Sequence, residues 1–305
     1  MIYVTTFLLR KTSVQLRGVT LSNWPYVDRY RDKDGQIAYD GFAIEVIDRI
    51  SKSAGFDYDL YEVPDGKYGV YDNETGRFDG LIGELVANRA DFAVADLTIN
   101  DERRAFVNFT EPFMTTSLAA IVHRKHADHI LSFVDLYHQS EVKYGVIDNS
   151  ATALFFHNSR DDILRKMYVQ MTQHPFGFVA TKEEGLKMVN ESNYALITES
   201  VTLEYLSNIQ CDLVIVNDTN SDFRDFQRHY AIGLRRGSQY LNAFNFAIDE
   251  LKNSGELDQI RDSYWVNECV EQTEEYEING TSNRLTRVGQ VLILLMTLVM
   301  TLFII

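Results

Sequence analysis

The apolar residues of this chain change period repeatedly, from every second position to every third or fourth and back, and this alternation limits the folds open to it. "VQLRGVTL" from Val14 alternates as a half-buried strand does. The following "DGFAIEVIDRISKSAG" reads as a helix, with Asp40 as N-cap, Phe42, Val46, Ile47 and Ile50 on one face, and Gly55 as its stop. A strand at 56–63, a helix near 80–88 and an apolar strand at Phe92 to Val94 continue the pattern. Strands that take turns with helices imply an α/β fold.

Beyond Pro112 the theme repeats. Val142, Tyr144 and Val146 alternate, Ser159 caps a helix through Met171, and Thr181 with Glu184 makes a capping box ahead of "GLKMV". "YALIT" is a short strand that ends at Glu199. A helix from Ser238 turns Leu241, Phe244, Ile248 and Leu251 inward, and a last one carries Leu257 and Ile260. At 305 residues, 45% of them hydrophobic, the chain can bury one large core or two medium ones.

The formal net charge is −15. Nucleic acid and anionic lipid surfaces need a positive face, so nucleic acid is excluded as a partner and any bound anion must be held by a local device. Two cysteines, Cys211 and Cys269, are too few for a disulfide framework and lack metal-ligand spacing. They are either two buried thiols or one bridge. Five N-x-Ser/Thr sequons, at Asn73, Asn108, Asn190, Asn217 and Asn279, favour a secretory environment.

Residues 288–305, "VGQVLILLMTLVMTLFII", carry no charge and sit at the lower edge of the length that crosses a bilayer as a helix; the alternative, a buried C-terminal helix, should show a polar face, and only Gln290, Thr297 and Thr301 interrupt this one. Residues 271–287 lose the apolar rhythm and read as a polar linker into that span. Residues 1–13, within "MIYVTTFLLRKTSV", make a poor signal peptide because the apolar run is short and no basic region precedes it.

Two adjacent arginines, Arg103 and Arg104, stand in the acidic stretch "ADLTINDERRAF". A strand running into polar, cap-like residues places backbone N–H groups and the Thr98 hydroxyl at a helix start, which favours an anion. A guanidinium there adds a planar fork matched to a carboxylate. The plain alternative is two surface arginines paired with Asp101 or Glu102.

The stretch "DGKYGVYDNETGRFDGLIGELVANRADFAVADLTINDERRAFVNFTEPFM", Asp65 to Met114, closely resembles the first ligand-binding segment of ionotropic glutamate receptors. "YGVIDNSATALFF", "YALITESVTLEYL" and "CDLVIV" resemble parts of the second segment, in the same order. The resemblance runs from about Val14 to Cys269. It implies a two-lobed clamshell of the type II periplasmic-binding-protein kind, with 14–116 as lobe 1, 117–229 as lobe 2, 230–270 returning to lobe 1, and 288–305 as a transmembrane helix.

Carried over position by position, the resemblance gives Arg103 and Thr98 the α-carboxylate of an amino acid, Glu199 its α-ammonium, and Tyr68 the role of closing over it. Arg104 has no role there and reads as the solvated neighbour. The helix start that holds glutamate's distal carboxylate matches Ser150, Ala151 and Thr152, so one hydroxyl is missing at Ala151. A hydrogen bond to a charged group contributes roughly 1.5 to 3 kcal/mol. That loss weakens glutamate or lets smaller amino acids compete, but Glu199 resembles the residue of AMPA- and kainate-type subunits and keeps L-glutamate the first ligand expected, with glycine, alanine and serine second. Asp96 stands where many members have proline, and its carboxylate either adds to ammonium binding or faces solvent. Asn23 replaces a glutamate that locks the closed lobes in relatives, which puts that contact in doubt; Tyr230 is a further lobe-closure candidate. The resemblance also pairs Cys211 with Cys269 and puts the ligand-binding domain outside the plasma membrane.

Family channels insert pore segments between the two ligand-binding segments, whereas here only a short polar stretch around Arg124 to His129 joins them. No pore is expected in this chain, and homologous receptor subunits are the expected partners beside the bilayer. An amino-acid decoy or scavenger is the other reading. His123, His126, His129 and His138 lack the spacing of a metal site, no cofactor motif is present, and no nucleophile or phosphate loop suggests an enzyme.

Overall fold

The computed structural model describes residues 14–216 and 227–269. The linker and apolar stretch at 271–305 and the N-terminal residues 1–13 lie outside them. Among the described residues no helix is long and apolar enough to cross a membrane.

Two five-stranded sheets organise the chain. In the first, the strands run in the order Phe56–Glu62, Val14–Thr20, Phe92–Val94, Gly233–Arg235, Val107–Phe109. The first three are parallel, and Gly233–Arg235 enters antiparallel between its neighbours. This sheet is thus completed by the last strand of the described residues. The helices Phe42–Ala54, Leu241–Ser254 and Glu256–Tyr264 bury Phe42, Ile47, Phe244, Ile248 and Ile260 with Phe56 and Phe92. Gly18 lies in the Val14–Thr20 strand, where a Cβ would collide with the Phe92 ring and Leu60.

The second sheet has the order Phe178–Val179, Lys143–Ile147, Tyr194–Glu199, Leu118–His123, Leu213–Val216. Its core joins Val122, Phe133, Val146, Phe156, Leu164, Met167 and Ile197. Each sheet therefore centres its own lobe. Two antiparallel strands, Met114–Thr116 and Arg228–Tyr230, pair where the chain crosses between the lobes.

The helix Ser200–Ile209 belongs to the second lobe yet buries Val201 in the first lobe's core. Ser200 and Val201 are stitched to the crossing strand, with the Val201 amide donating to Thr116 Oγ1 at 3.3 Å. Further along, Arg261 donates to both oxygens of Glu204 at 2.8 and 2.7 Å, and the Trp265 indole donates to the Val201 carbonyl at 2.9 Å. The Cys211–Cys269 disulfide fastens the same region, as the family resemblance implied.

Several helix starts differ from the sequence reading. Gly41, not Asp40, is the first N-cap, and Asp40 Oδ1 accepts from the Gly41 amide instead. Ser159 ends one helix rather than starting the next. Residues Ala151–Asn158 form a helix capped by Ser150, and the following helix, Asp162–Gln173, is capped by Asp161. Asp161 prevails because its carboxylate accepts from the Ile163 and Leu164 amides together. Gly55 closes its helix in the left-handed conformation, φ 73°, as expected.

The disulfide closes a loop of 58 residues. Chain entropy then assigns it about 4 kcal/mol. Urea denaturation of a Cys211→Ser/Cys269→Ser double variant should show a loss of that order, and an unchanged midpoint would mean that the bridge constrains little.

Candidate functional site

A cavity of about 80 Å³ lies between the lobes, lined by Asn23, Tyr68, Asp96, Thr98 and Arg103 from the first and by Ile147, Ser150, Ala151, Lys182, Thr198, Glu199 and Thr202 from the second. Another cavity, of about 260 Å³, lies in the second lobe and is lined by Gln139, Lys143, Tyr144, Gln170 and His174 among others, without a buried charge. Chemistry therefore points to the smaller one.

Arg103 occupies a four-residue helical turn, Asp101–Arg104, whose N-cap Asn100 accepts the Arg103 amide at 2.8 Å. The turn directs Arg103 inward and leaves Arg104 exposed. Arg103 is 4% exposed. Its Nη1 donates to the Thr98 carbonyl at 2.7 Å and its Nε to the Gly69 carbonyl at 3.2 Å. Among the described residues no carboxylate pairs with it within 4 Å, so the alternative of an ion pair with Asp101 or Glu102 is not what the structure has. Burial pulls its pKa down to about 10, still charged at neutral pH. A buried guanidinium with only neutral acceptors and unused donors is a site for an anion.

Glu199 faces the same cavity from the end of the Tyr194–Glu199 strand. Its Oε2 accepts from the Thr198 hydroxyl at 2.6 Å. A carboxylate thus stands in the same cavity as the Arg103 guanidinium.

Asp96 does not point to solvent. It is 8% exposed, and its two oxygens accept from the Tyr68 hydroxyl, each at 2.9 Å, and from Asn23 Nδ2 at 2.7 Å. Burial raises its pKa to about 6 against the hydrogen bonds that oppose the rise. Tyr68 is thereby held in place over the cavity by a partner that the sequence reading did not assign to it.

Asn23 makes the cross-lobe contact that its departure from glutamate had put in doubt. Lys182, at the start of the Lys182–Glu191 helix, donates to Asn23 Oδ1 at 2.6 Å and to the Trp24 carbonyl at 3.1 Å. The lobes thus meet here through an ammonium donating to an amide oxygen. Tyr230 is buried in the first lobe's core, edge-on to Tyr26 with ring centroids 5.6 Å apart, and does not line the cavity. The residue of that pair facing the second lobe is Tyr26, whose hydroxyl meets Thr202 Oγ1 at 3.1 Å.

Ser150 caps the Ala151–Asn158 helix by accepting the Ala153 amide at 3.1 Å. The amides of Ala151 and Thr152 lie in the first turn, where a helix offers no acceptor of its own. The Thr152 hydroxyl is buried without a hydrogen-bond partner, though the residue itself is not part of the cavity lining. Sequence reasoning missed Lys182, Thr198, Thr202 and Ile147. Lys182 had no signal beyond following a cap residue, because only the folded chain brings it to Asn23.

Residues 14–126 match the family model described as the ligated ion channel L-glutamate- and glycine-binding site. The structure superposes on the Drosophila muscle GluRIIB complex with glutamate at a TM-score of 0.75 and 28% identity, covering 83% of this chain and 99% of that one. The fold is similar to that of a glutamate-receptor ligand-binding domain. Among curated proteins, a probable glutamate receptor of Lithobates berlandieri is 24% identical across 78% of this chain and 71% of its own length. A glutamate receptor of Lymnaea stagnalis is 24% identical over 83% of this chain and 39% of its own length, and human kainate receptor 1 is 22% identical over 87% and 42%. The chain thus spans about two fifths of the length of the latter two. These alignments run to 351–389 positions, more than the 305 residues of this chain, so the relatives carry residues that this chain lacks.

The folded pKa of Asp96 lies above its ordinary value, so ionising it costs the folded state. That cost is absent below pH about 4 and complete above pH about 6, and a two-unit rise is worth on the order of 3 kcal/mol. The ligand-free protein should therefore lose stability over this range relative to Asp96→Asn, and parallel pH profiles in urea denaturation would contradict the burial of that carboxyl.

Proposed function

We propose that this chain binds an α-amino acid between its lobes, L-glutamate first, as the ligand-binding part of a glutamate-receptor-like membrane protein. The observation that carries this reading is Arg103, a buried cation with neutral partners, opposite Glu199 in one cavity. Arg103 and Thr98 take the α-carboxylate through a bidentate, charge-assisted contact, Glu199 takes the α-ammonium, and Tyr68 covers the ligand. Together they separate amino acids from simple acids and amines. Nothing in this arrangement requires a covalent step, and binding rather than catalysis is its natural use.

Because the cavity is shared by both lobes, a ligand that contacts both stabilises the closed arrangement over an open one. Closure then pulls on residues 271–287, and the apolar stretch 288–305 anchors the chain in lipid with the binding domain outside the cell. Pore-bearing homologous subunits are the partners that would use this motion. A scavenger or decoy would close without using it.

A second reading, a small amino acid such as glycine, alanine or serine, is favoured by Ala151 and by the cavity volume. At about 80 Å³ the cavity is small, which suits a compact ligand.

Thermal unfolding of the full chain in the presence of each of the twenty amino acids tests these readings. A ligand at 100 times its dissociation constant adds about 2.7 kcal/mol of stability, and the shift should vanish in Arg103→Ala. Absence of any shift in the parent chain would end the amino-acid reading. Ala151→Ser should improve glutamate affinity relative to alanine, and equal changes for the two would place the distal group elsewhere.

A further inference from the structure

Lys182 contributes a second cation to the cavity, and no part of the α-amino-acid clamp uses it. Its side chain is only 14% exposed. The ammonium donates to Asn23 Oδ1 and the Trp24 carbonyl, both neutral, which leaves one of its three hydrogens. The carboxylate paired with it among the described residues is Glu183, 4.0 Å away on a side chain that is 75% exposed, too distant and too wet to compensate a buried charge. Asp96 is reached only through the Asn23 side chain, whose Nδ2 donates to it at 2.7 Å.

The charges around the cavity can then be matched to a ligand. An α-carboxylate satisfies Arg103 and an α-ammonium satisfies Glu199, which leaves Lys182 against Asp96 alone. The Lys182 ammonium makes no direct hydrogen bond to Asp96 and has a third hydrogen beyond its two bonds to neutral oxygens, so an additional acceptor beside it is favoured. Lys182 lines the cavity with Ser150 and Ala151, at the helix start where one hydroxyl is missing.

We propose that Lys182 is a specificity-determining residue whose ammonium takes the side-chain carboxylate of an acidic amino acid, in place of the hydroxyl absent at Ala151. The proposal rests on the amino-acid reading above and narrows it to ligands carrying a second carboxylate. Because Lys182 also joins the lobes, its loss would weaken closure on any ligand. Selectivity, not affinity alone, is the quantity that separates the two roles.

Isothermal titration of the full chain with L-glutamate, its neutral isostere L-glutamine, and L-alanine tests this. Lys182→Met should weaken glutamate by about tenfold or more beyond any loss it causes for glutamine and alanine, the smaller end for a hydrogen bond to a charged group. Lys182→Arg, which keeps the charge, should recover most of the preference for glutamate over glutamine. Equal losses for all three ligands in Lys182→Met would make Lys182 a lobe latch only and overturn the proposal while amino-acid binding stands. An unchanged glutamate affinity in that variant would overturn it too. If the parent chain binds none of the three, the amino-acid reading itself fails and this proposal falls with it. Retained binding of alanine by Lys182→Met shows that the variant is folded.

Discussion

A guanidinium taken out of water without a carboxylate beside it is a standing cost to the folded chain, and much of the site is arranged around that cost. Arg103 is 4% exposed and is held by two carbonyl oxygens, from Thr98 and Gly69. Those carbonyls come from segments that the first lobe's sheet and the Gly80–Val86 helix region hold in place, so the guanidinium is fixed before any ligand arrives. A fixed and underpaired cation is a poor stabiliser of the free protein and a good receiver of an anion. The same trade recurs at Asp96, buried and raised toward neutrality, and at Lys182, buried beside amide and carbonyl oxygens. The site stores its binding capacity as imperfect compensation.

The two-lobe architecture turns that local condition into a mechanical one. Arg103 and Thr98 line the cavity from the first lobe and Glu199 from the second, so under the proposed reading one small zwitterion would be satisfied only when both approach it. The helix Ser200–Ile209 follows directly on Glu199 and is tied to the first lobe by Val201, Tyr205 and Glu204. Glu199 is thus directly continuous with a helix whose end lies next to the Cys211–Cys269 bridge.

Much of the fold was legible in the sequence because it depends on periodicity. The strands at Val14, Phe92 and Tyr194 and the helices that bury Phe42 and Phe244 follow from apolar spacing alone. Helix starts were less legible where several polar residues compete: Ser150, Ser159 and Asp161 stand within twelve positions, and only local geometry decides that the first and third are caps. At the site, residues that share a motif with glutamate receptors, Arg103, Thr98 and Glu199, do meet in one cavity. Lys182 was not legible, because its meaning comes from Asn23, a residue 159 positions away. Tyr230 was misplaced for the converse reason: a tyrosine near a lobe crossing suits a closure contact, but the crossing strands turn it into the core and leave Tyr26 to meet Thr202.

A diffraction structure of the chain crystallised with L-glutamate addresses the central claim most directly. The account predicts the α-carboxylate within about 3 Å of the Arg103 guanidinium nitrogens and the α-ammonium against Glu199, with both lobes touching the ligand. An amino acid bound with its α-carboxylate away from Arg103, or a cavity holding only water beside a saturating ligand, would contradict it.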